Sequence, residues 1–529
     1  MVAHVRGRLT TDPLNFEDII ADIRKGEIKI PKFQRPFVWK EDQAIKLVDS
    51  IARGYPVGSV LLWRTADKLN SERELGTFQL PQTDEMTPTK YVLDGQQRIT
   101  VVYSSFGAAP TDPGFKPVYD LRNETFHVGT DALQIHHFPL RYVYRTTDLL
   151  NFRTALQTLD DREVLQERLD ALIGAITGYR IPVVELRDLT VEEVCPIFER
   201  INSSGTRLST FDLIAAATWS KTFDLAAHAE GIASELAPKG FDGISNETIL
   251  KCISVVLIES VKKEDVLRIR ELGEQRISDA TNRTKEALRK AIDLLQKEFS
   301  IQAMSFLPYE AHMICLTKVF SEVKSLEAAQ LKRLRQWFWL TSFSEHFRGA
   351  SEAFVTSSSR EAVNWIVKGE GECARFGRAP TAANLIDTKF HFRAAVVKAY
   401  VIALAKAKPR NITNGATVDL VECLSSYNAK QFHHIFPQAW LKRENKKNID
   451  SLANICMLAA AENLAVSDTP ATEYIPKAIA GHGVDVDDVF FANLMPSTTE
   501  LDYSAVDYET FLKKRGEKIA THIGKLCEG

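Results

Sequence analysis

Residues 91–99 read Tyr-Val-Leu-Asp-Gly-Gln-Gln-Arg-Ile, and the passage from apolar run through a glycine turn into a helix sets how the first part of the chain is built. Tyr91 to Leu93 have the bulk and β preference of a short strand, Asp94-Gly95 is a turn pair, and a helix begins near Arg98. A strand that hands over to a helix start in this way aims backbone N–H groups and the positive end of the helix dipole at one spot, which favours phosphate. Gly95 permits close approach. Arg98 can grip phosphate oxygens with its planar fork, while Asp94 can hold a metal ion or polarise a water. Alone, Asp-Gly is a common turn pair, so the weight of the pentapeptide comes from its company.

Outward from this stretch, the first 215 or so residues alternate short β-branched runs with helical patterns. Glu41 to Arg53 places Ile45, Val48, Ile51 and Ala52 on one helical face and stops at Gly54, and Ser59 to Trp63 has the pattern of a buried strand. Ile181 to Leu186 is a further strand. Thr190-Val-Glu-Glu193 has capping-box spacing for a helix reaching Asn202, with Pro196 as a kink. From about 216 to 410 long helical periods take over. Leu288, Ile292, Leu295 and Phe299 form a stripe suited to core packing. Leu331-Lys-Arg-Leu-Arg335, followed by Trp337, Phe338 and Trp339, fits an amphipathic helix better than a nucleic-acid surface. Lys408 to Thr417 is the candidate linker, so the expected domains are 1–215, 216–410 and 411–529 of an α+β chain.

A chain of 529 residues is too long for one core,. Lys plus Arg number 66 against 69 for Asp plus Glu, a formal charge of −3, so any DNA groove must be a local patch rather than a global basic field. The seven cysteines stand singly, with neither the spacing of a zinc site nor the density of a disulfide framework. Met1 to Thr10 lacks an apolar leader core, and the apolar run Ala394 to Ala405 is short and broken by Lys398. A cytoplasmic location with no membrane partner follows as the expectation.

Three further stretches flank residues 91–99 in order: Ile30-Pro-Lys-Phe-Gln34-Arg35-Pro-Phe-Val-Trp39, Gly54-Tyr-Pro-Val-Gly58-Ser59, and Phe198-Glu-Arg-Ile-Asn202-Ser-Ser-Gly205-Thr-Arg-Leu208. Together the four resemble the DGQQR domain of the GmrSD-type restriction family, over roughly residues 10 to 220. That resemblance implies a ParB/sulfiredoxin-like α+β domain that binds and hydrolyses a nucleoside triphosphate, GTP, ATP or another. It implies that Gln34, Arg35, Asp94, Gly95, Gln96, Gln97 and Arg98 line the nucleotide or sensing pocket, with Asp94 and Arg98 as catalytic groups. Asn202 and Gly205 would shape its wall.

Near the other end, Phe432-His433-His434-Ile-Phe-Pro437 precedes a basic loop, then Ser451-Leu-Ala-Asn454-Ile-Cys-Met-Leu458, then Glu462-Asn463. The pattern is strand, loop, strand, helix, with His433, His434, Asn454 and Asn463 able to converge. Phosphodiester hydrolysis needs a base to activate water and a cation to neutralise charge. An imidazole with an ordinary pKa of about 6.5 suits the first task. Mg²⁺ keeps several waters and needs few protein ligands.

This second stretch resembles the ββα-metal HNH nuclease of the same family, over about residues 425 to 480. The resemblance implies His434 as general base, Asn454 orienting its imidazole, and His433 with Asn463 holding Mg²⁺ or another divalent ion. Lys442, Arg443, Lys446 and Lys447 in the intervening loop would hold the DNA backbone, since phosphate contacts position without specifying sequence. His433 stands where the family often has Asp, and Ala453 where it often has Gly. The whole implies a modification-dependent anti-phage endonuclease or nickase acting on double-stranded, modified phage DNA under nucleotide control, with a homo-oligomer allowed. The rival is a nucleotide-regulated DNA-binding or switch protein with a weak or inactive HNH domain.

Overall fold

A computed structural model describes residues 8–31, 39–66, 74–75, 78–79, 88–109, 115–129, 133–190, 193–194, 197, 200, 210–218, 223–426, 432–457, 469–481 and 485–529. The chain forms two compact units, Met1–Leu225 and Ala226–Gly529, and its architecture is α+β.

The strands of the first unit are β1 (Arg8–Leu14), β2 (Ile28–Lys29), β3 (Val60–Thr65), β4 (Glu74–Leu75), β5 (Phe78–Gln79), β6 (Thr89–Asp94), β7 (Pro117–Asp120), β8 (Thr125–Val128), β9 (His137–Pro139) and β10 (Ile181–Arg187). Five of them form a mixed sheet in the order β1-β10-β3-β6-β2. β10 runs parallel to β3 and β2 to β6, while β1-β10 and β3-β6 are antiparallel. A smaller antiparallel sheet has the order β8-β7-β9.

Helices pack on the large sheet for readable reasons. Asn15 caps the helix Phe16–Lys25 by accepting from Asp18 N–H at 2.7 Å, and Gly26, at φ 79°, ends it in the left-handed conformation,. Its apolar face, Phe16, Ile19, Ile20 and Ile23, is buried, with Phe16 stacked on Phe106 and Tyr179. Each such side chain contributes about 1.5–3 kcal/mol by leaving water. The helix Glu41–Ala52 buries Ala44, Leu47, Val48 and Ile51. Two expected core members, Ile45 and Ala52, are only half-buried, because the face that meets the core follows the 44/47/48/51 spacing. At Thr190 the capping box is half visible: Glu193 Oε2 accepts from Thr190 N–H at 2.9 Å. Pro196 and Asn202 lie outside the described residues.

In the second unit the expected stripe Leu288, Ile292, Leu295 and Phe299 is fully buried on the helix Glu274–Phe299. Phe299 meets Phe338 at a ring separation of 3.9 Å. Trp337, Phe338 and Trp339 are core residues of the helix Ala328–Phe343, and the neighbouring cations serve that packing. Arg335 binds Glu298 at 2.6 Å, and Arg333 donates to Ile366 O at 3.0 and 3.1 Å. The stretch expected to be a linker is instead a tied turn. Arg410 bridges Thr417, Asn411 N–H donates to Ala416 O at 2.7 Å, and Asn493 Nδ2 holds Arg410 O at 2.6 Å. Near the C-terminus β11 (Phe432–His434) and β12 (Ile455–Met457) form an antiparallel hairpin. Among the described residues no helix is long and apolar enough to cross a membrane.

Candidate functional site

The Asp94–Arg98 stretch takes the strand–turn–helix form read from its sequence, with the helix beginning at Gln96 rather than near Arg98. The register between β3 and β6 slips beside it: Leu61 faces Asp94 but Leu62 faces Val92. Leu93 is therefore an extra residue, and such a bulge re-aims the next side chain, here Asp94, out of strict alternation.

Two of the quoted motifs fold into one unit at this point. Gly58 and Gly95 both have positive φ, 85° and 93°. A Cβ at Gly95 would lie 2.9 Å from Arg98 Nη1 and 3.3 Å from the Val60 Cα, and one at Gly58 would lie 3.4 Å from the same guanidinium. Arg98 folds back over both glycines, donates to Ser59 O, and stands 3.7 Å from the Asp94 carboxylate. Gln97 Oε1 faces Trp39 N–H at 3.4 Å, which brings in the end of the Ile30–Trp39 motif. Gln96 is buried. The first helical amides precede the first intrahelical bond, Ile99 N–H to Gly95 O at 3.0 Å, and point beyond the helix start. Gln34, Arg35, Asn202 and Gly205 lie outside the described residues.

At the C-terminal hairpin, His434 ends β11 with Nε2 3.1 Å from Asp450 Oδ1, and Gln438 Nε2 lies 3.2 Å from the same ring nitrogen. The Gln438 amide also donates to Asp450 Oδ1 at 2.5 Å. Burial pushes the His434 pKa below its ordinary value, against the pull of the hydrogen bond and charge of Asp450, which raise it; the cation Lys442 lowers it further. His434 is therefore neutral near pH 7. A carboxylate beside Nε2 favours the proton there, leaving Nδ1 as the basic nitrogen, an assignment made from the partners.

Asn454 does not orient that imidazole directly. It is fully buried, and its Oδ1 accepts from Phe436 N–H at 2.8 Å while Nδ2 donates to Phe436 O at 3.0 Å and Ile449 O at 3.1 Å. Its amide thus satisfies the backbone of the Ile-Phe-Pro turn that follows His434 and fixes where β11 ends. His433 is buried and pairs in register with Cys456. Asn463 lies outside the described residues. Ala453 sits in a 3₁₀ turn and is not among the positive-φ residues, so the turn forms without the glycine that the resemblance led one to expect.

The four cations separate into different environments. Lys442 and Arg443 occupy the last turn of a short helix, Gln438–Arg443, rather than a loop. They and Lys447 are exposed, whereas Lys446 is half-buried and held by Glu509 at 3.0 Å. Sequence pattern does not single out Asp450 or Gln438. The available signals were weak: an acid just before Ser451-Leu-Ala-Asn454, and a polar residue just after Pro437.

The hairpin backbone is gripped from several elements. Tyr400 Oη lies 2.6 and 2.8 Å from the carbonyls of Leu452 and Ile455, Tyr474 donates to Ile435 O at 2.9 Å, and Tyr508 donates to Asn448 O at 2.8 Å. Arg515, fully buried, donates to Ala453 O at 2.8 Å and Asn493 O at 3.2 Å.

Comparison with known proteins adds two findings. Residues 16–219 match the model of the GmrSD restriction endonuclease N-terminal domain. An uncharacterised protein of Methanocaldococcus jannaschii is 21% identical over 533 residues, an alignment covering 89% of this chain and 88% of that protein.

Proposed function

We propose, from the match of residues 16–219 to the GmrSD restriction endonuclease N-terminal domain, that the chain is a restriction endonuclease or nickase of the GmrSD type. In this proposal a triphosphate-using site at Asp94–Arg98 controls HNH-type hydrolysis at His434. The observation that carries the nuclease assignment is the His434–Asp450–Gln438 cluster: a neutral, largely buried imidazole held by a carboxylate on a backbone-clamped hairpin.

His434 Nδ1 would take the proton from a water attacking phosphorus, and the 3′ or 5′ oxygen would leave with the broken P–O bond. Asp450 holds the ring and stabilises the imidazolium as it forms, and Asn454 keeps the turn after His434 in place. Exposed Lys442, Arg443 and Lys447 suit backbone phosphates. A divalent ion bound at His433 would neutralise charge on the phosphate and the leaving oxygen. A nitrogen donor of this kind suits Mn²⁺, Co²⁺ or Zn²⁺ better than Mg²⁺, which prefers oxygen.

At the other site, helix-start amides and Arg98 would cradle the triphosphate, with Gln34, Arg35, Gly95, Gln96 and Gln97 around it and Asp94 acting on water or metal. The substrate class in view is modified phage DNA. The test compares matched modified and unmodified phage DNA, with and without each triphosphate, using wild type and His434→Ala. Loss of cleavage with retained triphosphate turnover supports two separate sites. Full cleavage by the folded variant refutes the HNH assignment.

A further inference from the structure

The three-stranded sheet β8-β7-β9 carries a cluster that neither proposed site uses. Asp120 ends β7, His127 lies on β8, His136 immediately precedes β9, and His137 opens β9 opposite Asp120. Asp120 and His136 are buried and His137 is nearly so. Asp120 Oδ1 lies 3.7 Å from His136 Nε2, and its Oδ2 lies 3.7 Å from His137 Nε2. One donor atom from each of these three residues falls within 4.8 Å of the others. The His127 ring stands edge-on to His137, 4.9 Å between centroids.

These spacings are too long for hydrogen bonds. They are close to the edge of a tetrahedron around an ion with bonds of 2.0–2.1 Å, about 3.3 Å. The carboxylate is also pre-set as a ligand. Its Oδ1 accepts from Arg122 N–H at 2.8 Å and Asn123 N–H at 3.1 Å, and its Oδ2 accepts from Asn123 Nδ2 at 2.7 Å. Such outer partners fix a ligand's orientation, and Oδ2, with a single donor, keeps a lone pair for a cation,. Two imidazoles and one carboxylate, brought together from 18 residues of chain (120 to 137), form a borderline nitrogen and oxygen set that selects zinc-like ions over Mg²⁺ or Ca²⁺.

We propose that Asp120, His136 and His137 bind one Zn²⁺-class ion as a tie between β7 and β9, with the fourth position open to water on the side where the His127 ring stands. Ligation through His137 Nε2 puts the proton on Nδ1 and so ends its long 3.3 Å contact with Gln134 N–H. The remaining backbone bond of that turn, His137 N–H to Gln134 O at 2.9 Å, is unaffected.

The test uses the full chain, stripped with chelator and titrated with Co²⁺, whose tetrahedral complexes absorb strongly in the visible. The expected result is one equivalent of tetrahedral Co²⁺, displaced by Zn²⁺. It should persist in His433→Ala, which disables the C-terminal candidate ligand. Both His137→Gln and His136→Gln should weaken it by more than about tenfold while far-ultraviolet circular dichroism is unchanged. Two results overturn the proposal: a folded wild-type protein with no tetrahedral signal, or a signal that disappears in His433→Ala and survives in His137→Gln.

Discussion

Asp450→Asn tests the nuclease assignment through a shift whose sign the structure dictates. Asp450 lies 3.1 Å from His434 Nε2, with its own side chain 43% exposed. Burial lowers the imidazole pKa and the carboxylate raises it. Removing the negative charge therefore lowers the pKa further. Because the carboxylate is partly in water, a water-like dielectric applies, and a unit charge at about 4 Å contributes about 1 kcal/mol. That corresponds to roughly 0.7 of a pH unit. A general base is active when neutral, so wild-type cleavage should rise with pH through a midpoint below the ordinary imidazole value of about 6.5. In Asp450→Asn the acid limb should move down by roughly that 0.7 unit. The plateau should fall by about tenfold or more, because the tautomer is no longer fixed. The assay is single-turnover plasmid nicking from pH 5 to pH 8. A limb that moves up, or stays in place in a folded variant, refutes the pairing of His434 as base with Asp450 as its holder.

Other outcomes follow from the same geometry. Asn454→Ala deletes three hydrogen bonds and leaves Phe436 N–H and O buried without that partner; a loss of about 2–4 kcal/mol should appear in denaturant unfolding of the second unit. Gly95→Ala strains a φ of 93° and drives a Cβ against Arg98 and the Val60 backbone, so triphosphate turnover should fall together with about 1–3 kcal/mol of stability, read by thermal unfolding. Asp94→Ala and Arg98→Ala should reduce triphosphate turnover in proteins of unchanged circular dichroism, and wild-type turnover in both would remove the site. Lys442→Glu should weaken DNA binding and flatten its salt dependence more than Lys446→Ala, since Glu509 already occupies Lys446,; equal effects in fluorescence titrations would contradict that difference.

The N-terminal arrangement was legible because it is local. Strand, glycine turn and helix occupy consecutive residues, so periodicity and turn chemistry reveal them before any tertiary contact is known. The bulge at Leu93 and the fold-back of Arg98 over Gly58 were not legible, since both depend on register between strands that are distant in sequence. At the C-terminal hairpin the pattern singled out His434 and Asn454, but not the backbone groups that the Asn454 amide holds. A buried amide can serve a ring or a backbone, and only the tertiary path of the Ile-Phe-Pro turn decides between them. Asp450 escaped notice because an acid in a polar connection looks like any solvated charge until the chain brings it beside an imidazole. The cluster of Asp120, His136 and His137 was hidden for a related reason: β7 and β9 meet through a register that the intervening sequence does not announce.

The helices between 216 and 410 read in sequence only as long helical periods, yet at least one of them reaches the hairpin directly. Tyr400, on the helix Ala395–Lys406, reaches both ends of the Leu452–Ile455 segment that carries Asn454. Arg515, on the helix Tyr508–Glu528, holds the Ala453 carbonyl in the same segment. A fully buried guanidinium costs several kcal/mol of desolvation unless its donors are met, and here the carbonyls of Ala453 and Asn493 meet two of them. An apolar residue of similar length could fill the volume but could not hold that carbonyl. Asn454 in turn fixes the turn after His434, so the placement of the imidazole depends on a chain of polar contacts running from the two helices into the hairpin. A rotation of either helix would reach His434 through these same groups, Tyr400 and Arg515 on the segment that carries Asn454 and Asn454 on the turn after His434.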